Sequence, residues 1–400
     1  MRILFLLTQD LESPSGLGRF WPLARELVRL GHSVRVTALH ADFGALQQRA
    51  FVRDGVEIEY VAPMHVLKQG NQKRYYRPHQ LLWIVLRATW VLSRAALTSP
   101  ADVIFVAKPH PMNGVAGLLA KTLRHLPLLV DCDDYEAGSG RFSGAWQRAI
   151  IAFFEKRIPR HADWVTTHTH FMMENLVSWG VPREKIFYLP NGIDPGRFQP
   201  PAVAEAEAMR KKLGLSGKKV VAYIGSLSFP SHPVYLLMDA FAQIHAALPN
   251  SVLLIVGGGE NLPDLQKQAA NLNIEDAVCF TGRVPPADIP LYYALADVTV
   301  DPVHDDDAAR GRSPLKMFES WICGVPFVTM DVGERAYLMG EPPAGVLVAA
   351  KSETEIVNNL LKILLQPDWG EEMIRLGYQR VEHFTWDRLA KNHPIIKDIE

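Results

Sequence analysis

Four hundred residues with 48% hydrophobic and 21% charged side chains, 28 Gly and 28 Pro have the composition of a folded globular chain, which excludes a disordered or fibrous one. The formal net charge of -1 gives no global basic field, so no nucleic-acid partner is expected. That average hides a split: residues 1–195 carry 23 basic and 17 acidic side chains, while the remainder carries 19 and 26.

In chain order, the apolar run Ile3 to Leu7 stops at Thr8-Gln9-Asp10 with no cleavage-site pattern, so it reads as a buried strand and not a signal peptide. A glycine turn, Pro14 to Gly18, leads to a helix over Trp21 to Leu30, which Gly31 stops, and then to a strand over Val34 to Ala38. Further strands are expected at Glu57 to Val61, Val103 to Val106, Leu128 to Val130 and Trp164 to Thr167. Helix-length segments separate them, and that alternation predicts a doubly wound parallel sheet. The apolar run Leu81 to Leu86 ends at Arg87, short of the roughly 20 residues that span a bilayer, so no transmembrane helix is expected.

Pro190 to Pro201 holds four prolines and two glycines and reads as a linker. A second strand series follows at Lys219 to Ile224, Ser251 to Val256, Val278 to Thr281, Val298 to Val300, Phe327 to Met330 and Gly345 to Val348. The fold class is therefore α/β: two Rossmann-like domains in tandem, 1–195 and 196–370, with a helical tail, 371–400, packing back on the first. Cys132, Cys279 and Cys323 are widely spaced in apolar runs and read as buried thiols in a reducing compartment. Ligands of open parallel sheets bind beyond the carboxyl ends of the strands, so two such domains facing across a cleft suit a reaction that unites two substrates.

Two motifs carry chemistry. Gly16 and Gly18 let the backbone approach an anion at a helix start, but Trp21 stands where a dinucleotide fingerprint needs its last glycine, which argues against a dehydrogenase. The denser signal is Arg310-Gly311-Arg312-Ser313-Pro314-Leu315-Lys316-Met317-Phe318-Glu319. Ser313 is expected as N-cap and Pro314 as the first helical residue, presenting free amides to a phosphate. Arg310, Arg312 and Lys316 lie beside it in sequence, enough charge for a diphosphate without a metal. Glu319, a turn and a half along, suits the hydroxyls of a ribose.

The run Ser313-Pro314-Leu315-Lys316-x-x-Glu319 followed by Gly324-Val325-Pro326 resembles the donor-site segment of the group 1 (family 4) glycosyltransferases of GT-B fold. Gly16 and Gly18, Gly31-His32-Ser33-Val34, Pro190-Asn191-Gly192, Tyr223-Ile224-Gly225-Ser226, Val256-Gly257-Gly258-Gly259 and Phe280-Thr281-Gly282 follow in the family's order. The resemblance implies transfer of a sugar from a nucleoside-diphosphate donor with retention and without a metal or other cofactor. It places the donor on the second domain and a carbohydrate or lipid-linked acceptor on the first. Glu319 would hold the ribose, the backbone from Ser313 through Pro314 and Leu315 to Lys316 the phosphates, Gly16, Gly18 and Gly225 the diphosphate, and Arg283 the base.

The sequence departs from that pattern at three places. Gly311 stands where many members carry a Glu that contacts the donor sugar, Ser226 replaces an Arg, and residues 228–233 offer no Lys. Charge must then come from Arg310, Arg312 or Lys316. These departures keep a non-catalytic regulatory subunit open, and a sugar-nucleotide epimerase stands as the rival enzyme class. Asp131-Cys132-Asp133-Asp134-Tyr135-Glu136 occupies the strand end where relatives have His-Asp, so Asp133 and Asp134 are candidate acceptor contacts. Asp133 joins Lys316 and Arg312 as the catalytic candidates, and His110 shares the acceptor rim.

Three features read as non-catalytic. Asp305-Asp306-Asp307 is similar to the metal motif of GT-A transferases but falls in a different fold and reads as a solvated loop. His161, His168 and His170 lack metal-ligand spacing and read as structural. Residues 68–94, with Lys68, Lys73, Arg74 and Arg77 leading into a Trp-bearing helix, are expected to pack in the core, with contact to an anionic membrane as the alternative. The expected location is cytoplasmic, peripheral to the inner membrane face in that second case.

Overall fold

The computed structural model describes residues 1–69, 72–139, 144–350 and 352–397. The chain divides into two compact units, Met1–Gly192 with Trp386–Glu400, and Ile193–Thr385.

The first unit runs β1 (Arg2–Leu7), α1 (Trp21–Arg29), β2 (Ser33–His40), β3 (Ala50–Arg53), β4 (Val56–Pro63), β5 (Val66–Gln69), β6 (Gln72–Tyr75) and α2 (Pro78–Thr98). It continues through β7 (Val103–Ala107), α3 (Pro111–Arg124), β8 (Leu128–Asp131), α4 (Ala145–Arg157), β9 (Trp164–Thr167), α5 (His170–Ser178) and β10 (Ile186–Tyr188). Its main sheet has the order β10-β9-β8-β7-β1-β2-β4-β3 and is parallel except for β3. Alternate residues of the central strands enter different cores. Leu4 and Leu6 pack with Ala88 and Leu92 of α2 and Ala116 of α3, whereas Ile3, Phe5 and Leu7 pack with Leu23 and Leu27 of α1. Burial on both faces explains why these strands read as unbroken apolar runs.

The second unit runs α6 (Val203–Lys212), β11 (Lys219–Ile224), α7 (Tyr235–Ala247), β12 (Ser251–Val256), α8 (Leu262–Asn271), β13 (Val278–Gly282), α9 (Ile289–Tyr293) and β14 (Val298–Asp301). There follow α10 (Asp307–Arg310), α11 (Leu315–Ile322), β15 (Phe327–Met330), α12 (Arg335–Met339), β16 (Val346–Val348), α13 (Glu353–Leu365) and α14 (Pro367–Val381). Its sheet, β13-β12-β11-β14-β15-β16, is parallel throughout.

Four expectations need correction. The second unit begins at Ile193, not 196, and the tail begins at Trp386, not 371. The α14 side chains Met373 and Val381 are buried in the second unit's cores, while Trp386, in α15 (Trp386–Lys391), is buried in the first unit and donates its Nε1 proton to the Gly18 carbonyl at 3.1 Å. The Pro14 to Gly18 turn is helical, with a π-turn over Gly16–Phe20 running directly into α1, because the chain reverses earlier, at Asp10 to Ser13. Ser313 is not the N-cap of the following helix: Pro314, at ψ 105°, lies outside the helical region, so it becomes the cap and Leu315 the first helical residue. Finally, the stretch His79–Thr98 is long and apolar enough to cross a membrane by length and composition, which the short run Leu81 to Leu86 had concealed.

Candidate functional site

The parallel strands of each sheet reverse their order once, between β7 and β1 in the first and between β11 and β14 in the second, and such points are where open α/β sheets leave a crevice for ligands. Both crevices are lined by buried charge.

In the second unit, β14 ends on Asp301, which is 2% exposed. Lys316 Nζ donates to its Oδ1 at 2.6 Å and Arg335 Nη2 to its Oδ2 at 3.1 Å. Burial opposes ionisation of Asp301, but Lys316 and Arg335 prevail and hold it well below the usual carboxylate range. Lys316 is pushed down by burial and by the neighbouring Arg312 and Arg335, so any added anion gains from three cations that one carboxylate only partly offsets. Lys316 Nζ also lies 3.3 Å from Tyr223 Oη, 3.3 Å from His232 Nδ1 and 4.6 Å from the centre of the Tyr223 ring.

Gly225, directly after β11, makes this arrangement possible. A Cβ there would sit 2.5 Å from Lys316 Cε. Gly257, at φ +141°, is needed for its own reason, since its Cβ would fall 1.8 Å from the Gly225 carbonyl oxygen. Arg312 donates to the Ser231 carbonyl at 3.0 Å. Its guanidinium therefore lies against the loop in which the family's Arg and Lys are missing. Arg310 behaves differently: it is 45% exposed and pairs with Asp305 at 2.8 Å. An expected phosphate ligand is thus engaged with the acidic loop, whose Asp306 also caps α10 by accepting from Ala309 N.

Glu319 lies one turn beyond Lys316 on the same polar side of α11, while Met317, Phe318 and Trp321 anchor the helix in the core. It accepts from Tyr293 Oη at 2.9 Å, and burial pushes its carboxyl up against the opposing effects of Tyr293, Arg197 and Lys316. Arg283 is exposed, after Gly282 at the end of β13. Ser313, Pro314 and Leu315 form the approach to the helix.

In the first unit, β7 leads into Lys108, which is buried at φ +61°. Its ammonium lies 3.3 Å from Asp133, 2.9 Å from Asp134 and 2.6 Å from Glu136. Burial disfavours its charge, yet the three carboxylates raise Lys108 well above the ordinary lysine range. Burial pushes Asp133 up, Lys108 opposing and the neighbouring carboxylates reinforcing, so the cluster tends to retain a proton. Glu155 accepts from Glu136 N at 2.8 Å and Ala137 N at 3.1 Å, and burial raises it to about 8. His110 is half-buried, 2.8 Å from Thr8 Oγ1, and burial lowers it to about 4. Asp133, Asp134 and Glu136 could by spacing hold a cation, but Lys108 is ion-paired with all three.

His168, read from the sequence as structural, has its Nε2 3.8 Å from Asp134 Oδ1. Gly16 is explained by packing, because a Cβ would meet the Asp10 carbonyl oxygen at 2.5 Å. Its segment delivers Arg19, which is 1% exposed, to Asp131 at 2.7 Å and to the Leu189 carbonyl and Asn191 Oδ1, both at 3.1 Å. Asp301, Arg335, Arg19 and Tyr293 were missed as partners. The available signal was an Asp closing a buried strand, as in Leu128-Leu129-Val130-Asp131 and Val298-Thr299-Val300-Asp301.

Residues 16–192 match the glycosyl transferase 4-like domain and residues 205–380 the glycosyl transferases group 1 family. The GDP-mannose-dependent alpha-(1-6)-phosphatidylinositol monomannoside mannosyltransferase of Mycobacterium tuberculosis is 29% identical over 238 residues, 59% of this chain and 61% of its own length. A D-inositol 3-phosphate glycosyltransferase of Acidothermus cellulolyticus is 28% identical over 58% of this chain and 52% of its own. The match thus spans between half and two thirds of these relatives. Sucrose-phosphate synthase of Thermosynechococcus elongatus superposes with a TM-score of 0.79 at 19% identity, covering 100% of this chain and 99% of that one. HepE of Anabaena in complex with UDP and glucose gives 0.73 at 20% identity over 100% and 99%. At those identities the likeness shows the fold, two Rossmann-like domains of GT-B type, and the family matches along both halves carry the assignment: the chain belongs to the group 1 glycosyltransferases.

Proposed function

We propose that the protein transfers a sugar from a nucleoside-diphosphate donor to a hydroxyl of a glycolipid or other carbohydrate acceptor. The observation that carries the reading is the cationic centre around Asp301, in which Lys316, Arg335 and Arg312 gather where the second sheet reverses its strand order. A departing diphosphate gains charge as the glycosidic bond breaks, so fixed cations aimed at it lower the barrier without reorganisation. Arg312 supplies charge beside the loop of Ser226 and Ser231, which answers the sequence's main departure from the family and disfavours a degenerate subunit. Glu319, neighbouring Lys316 along α11, would accept hydrogen bonds from the ribose hydroxyls.

The acidic centre of the first unit suits the acceptor, with Asp133, Asp134 and His110 offering hydrogen-bond partners for hydroxyls. Independence from metals and retention at the anomeric carbon belong to this proposal as implications of the family resemblance. Support for the donor class also comes from relatives described as GDP-mannose-dependent and from neighbours described in complex with UDP.

The test is a transfer assay over nucleotide sugars and carbohydrate acceptors, preceded by a thermal-shift screen against the free nucleotides. Stabilisation by a nucleoside diphosphate that Glu319→Ala abolishes is expected. Absence of any nucleotide-dependent shift sinks the reading, and epimerised donor formed without acceptor replaces it with the epimerase.

A further inference from the structure

Two helices of the first unit carry large apolar side chains in water. On α2, Trp83 and Trp90 are 66% and 62% exposed, and Leu82 and Leu86 share their side. On α4, Trp146 is 55% exposed, in line with Ile150 and Phe153 at helical spacing. Core tryptophans of this protein behave otherwise, since Trp21, Trp321 and Trp386 are at most 3% exposed. Both helices contribute to one core: Ala88, Leu92 and Ala96 of α2 pack there with Phe154 of α4, on the face of the sheet opposite α1. Their outer stripes therefore turn away from the same face.

The charges between these residues have one sign. Every exposed ionic side chain on the two helices is basic: Arg87 and Arg94 on α2, and Arg148, Lys156 and Arg157 on α4, while the single acid, Glu155, is buried. Arg157 covers the Phe153 ring at 5.1 Å. Only 22% of the most apolar stretch of α2 is buried, yet the residues that are buried sit in the domain core, so this helix can lie on a bilayer but cannot leave the domain to span one. Tryptophan beside arginine on a helix is the chemistry of a membrane interface.

We propose that the outer faces of α2 and α4 dock the protein on an anionic lipid surface. A second copy of the chain is disfavoured as the occupant, since a symmetric contact would set arginine against arginine with no acid to intervene. The expected core role of residues 68–94 thus holds for one side of α2 alone; the side chains of Lys68, Lys73 and Arg74 lie outside the described residues. The inference stands apart from the donor chemistry.

The experiment is co-flotation of the full chain with phosphatidylcholine vesicles, with and without phosphatidylglycerol, at low and high salt. Binding to the anionic vesicles alone, weakened by salt, is expected. Arg87→Gln/Arg94→Gln is expected to reduce it about fivefold per arginine, from the contribution of one basic residue at an anionic surface. Trp83→Ser/Trp90→Ser and Trp146→Ser/Phe153→Ser remove the apolar anchors and are each expected to abolish retention at high salt, with an unchanged melting temperature showing that these exposed positions leave the fold intact. Nucleotide-induced thermal shifts in the same variants separate this proposal from the donor reading, because they should persist. No flotation with anionic vesicles, flotation indifferent to all three variants, or a dimer in light scattering that the same substitutions split would overturn it.

Discussion

The two crevices use one design with opposite balance. In the first unit a buried ammonium, Lys108, stands among Asp133, Asp134 and Glu136; in the second a buried carboxylate, Asp301, stands between Lys316 and Arg335, with Arg312 near. One centre is left with surplus negative charge and the other with surplus positive charge, at equivalent places in similar sheets. The fold supplies the place where strand order reverses, and the sign of the residual charge sets whether hydroxyls or phosphates are attracted there. The same contrast refines the composition, because the first half is basic overall and yet acidic at its centre, and the second is the reverse.

Loss of a buried ion pair tests the two centres most directly. Asp131→Ala strands Arg19, which is 1% exposed, and is expected to cost about 3–5 kcal/mol in urea denaturation. Asp301→Ala is expected to cost a similar amount, because it strands Arg335, also 1% exposed, although Lys316, 16% exposed, can turn toward water. A much smaller loss would mean that the second centre is the more open of the two. Next, Lys316→Ala is expected to weaken nucleoside-diphosphate binding about a hundredfold by calorimetry, the scale of losing a charge-assisted contact in a sheltered site. Lys108→Met should leave that affinity unchanged. Glu319→Gln is expected to weaken nucleotide binding about tenfold while leaving inorganic diphosphate alone, which separates a ribose contact from general loss of the site.

The smallest effect is the pH dependence. Glu155 is raised to about 8 from 4.5, so the folded chain keeps a proton that the unfolded chain releases, and stability falls as pH rises across that window. Asp301 is lowered, so its contribution is present above the ordinary value of 3.8 and is lost as pH falls below it. Hydrogen exchange followed by peptide should show the first unit loosening toward pH 8 and the second loosening only in acid. A common profile for both units would remove the contrast.

Strands were legible in the sequence because burial on both faces writes them as apolar runs, and Trp164–Thr167, Lys219–Ile224, Ser251–Val256 and Phe327–Met330 are found at the expected limits. The donor segment was legible through its helix, which binds Lys316 and Glu319 to one face by spacing alone. Their partners were not, because Asp301 and Arg335 meet Lys316 from other strands and helices, a closeness that only the sheet order creates. Arg310 was misjudged for the same reason: nearness in sequence to Lys316 did not weigh against a nearer carboxylate, Asp305. The exposed side of α2 stayed hidden since a run of apolar letters does not say which of them the core will take.

Gly225 has no side chain, yet its role is to hold a volume open. If that space is filled by Gly225→Ala, the new methyl meets the stem of Lys316, and the ammonium has to shift against Asp301 although no charge has been deleted. A survey that scores positions by the chemistry of their side chains would pass over this one, while a scan of binding would group it with the lysine it accommodates.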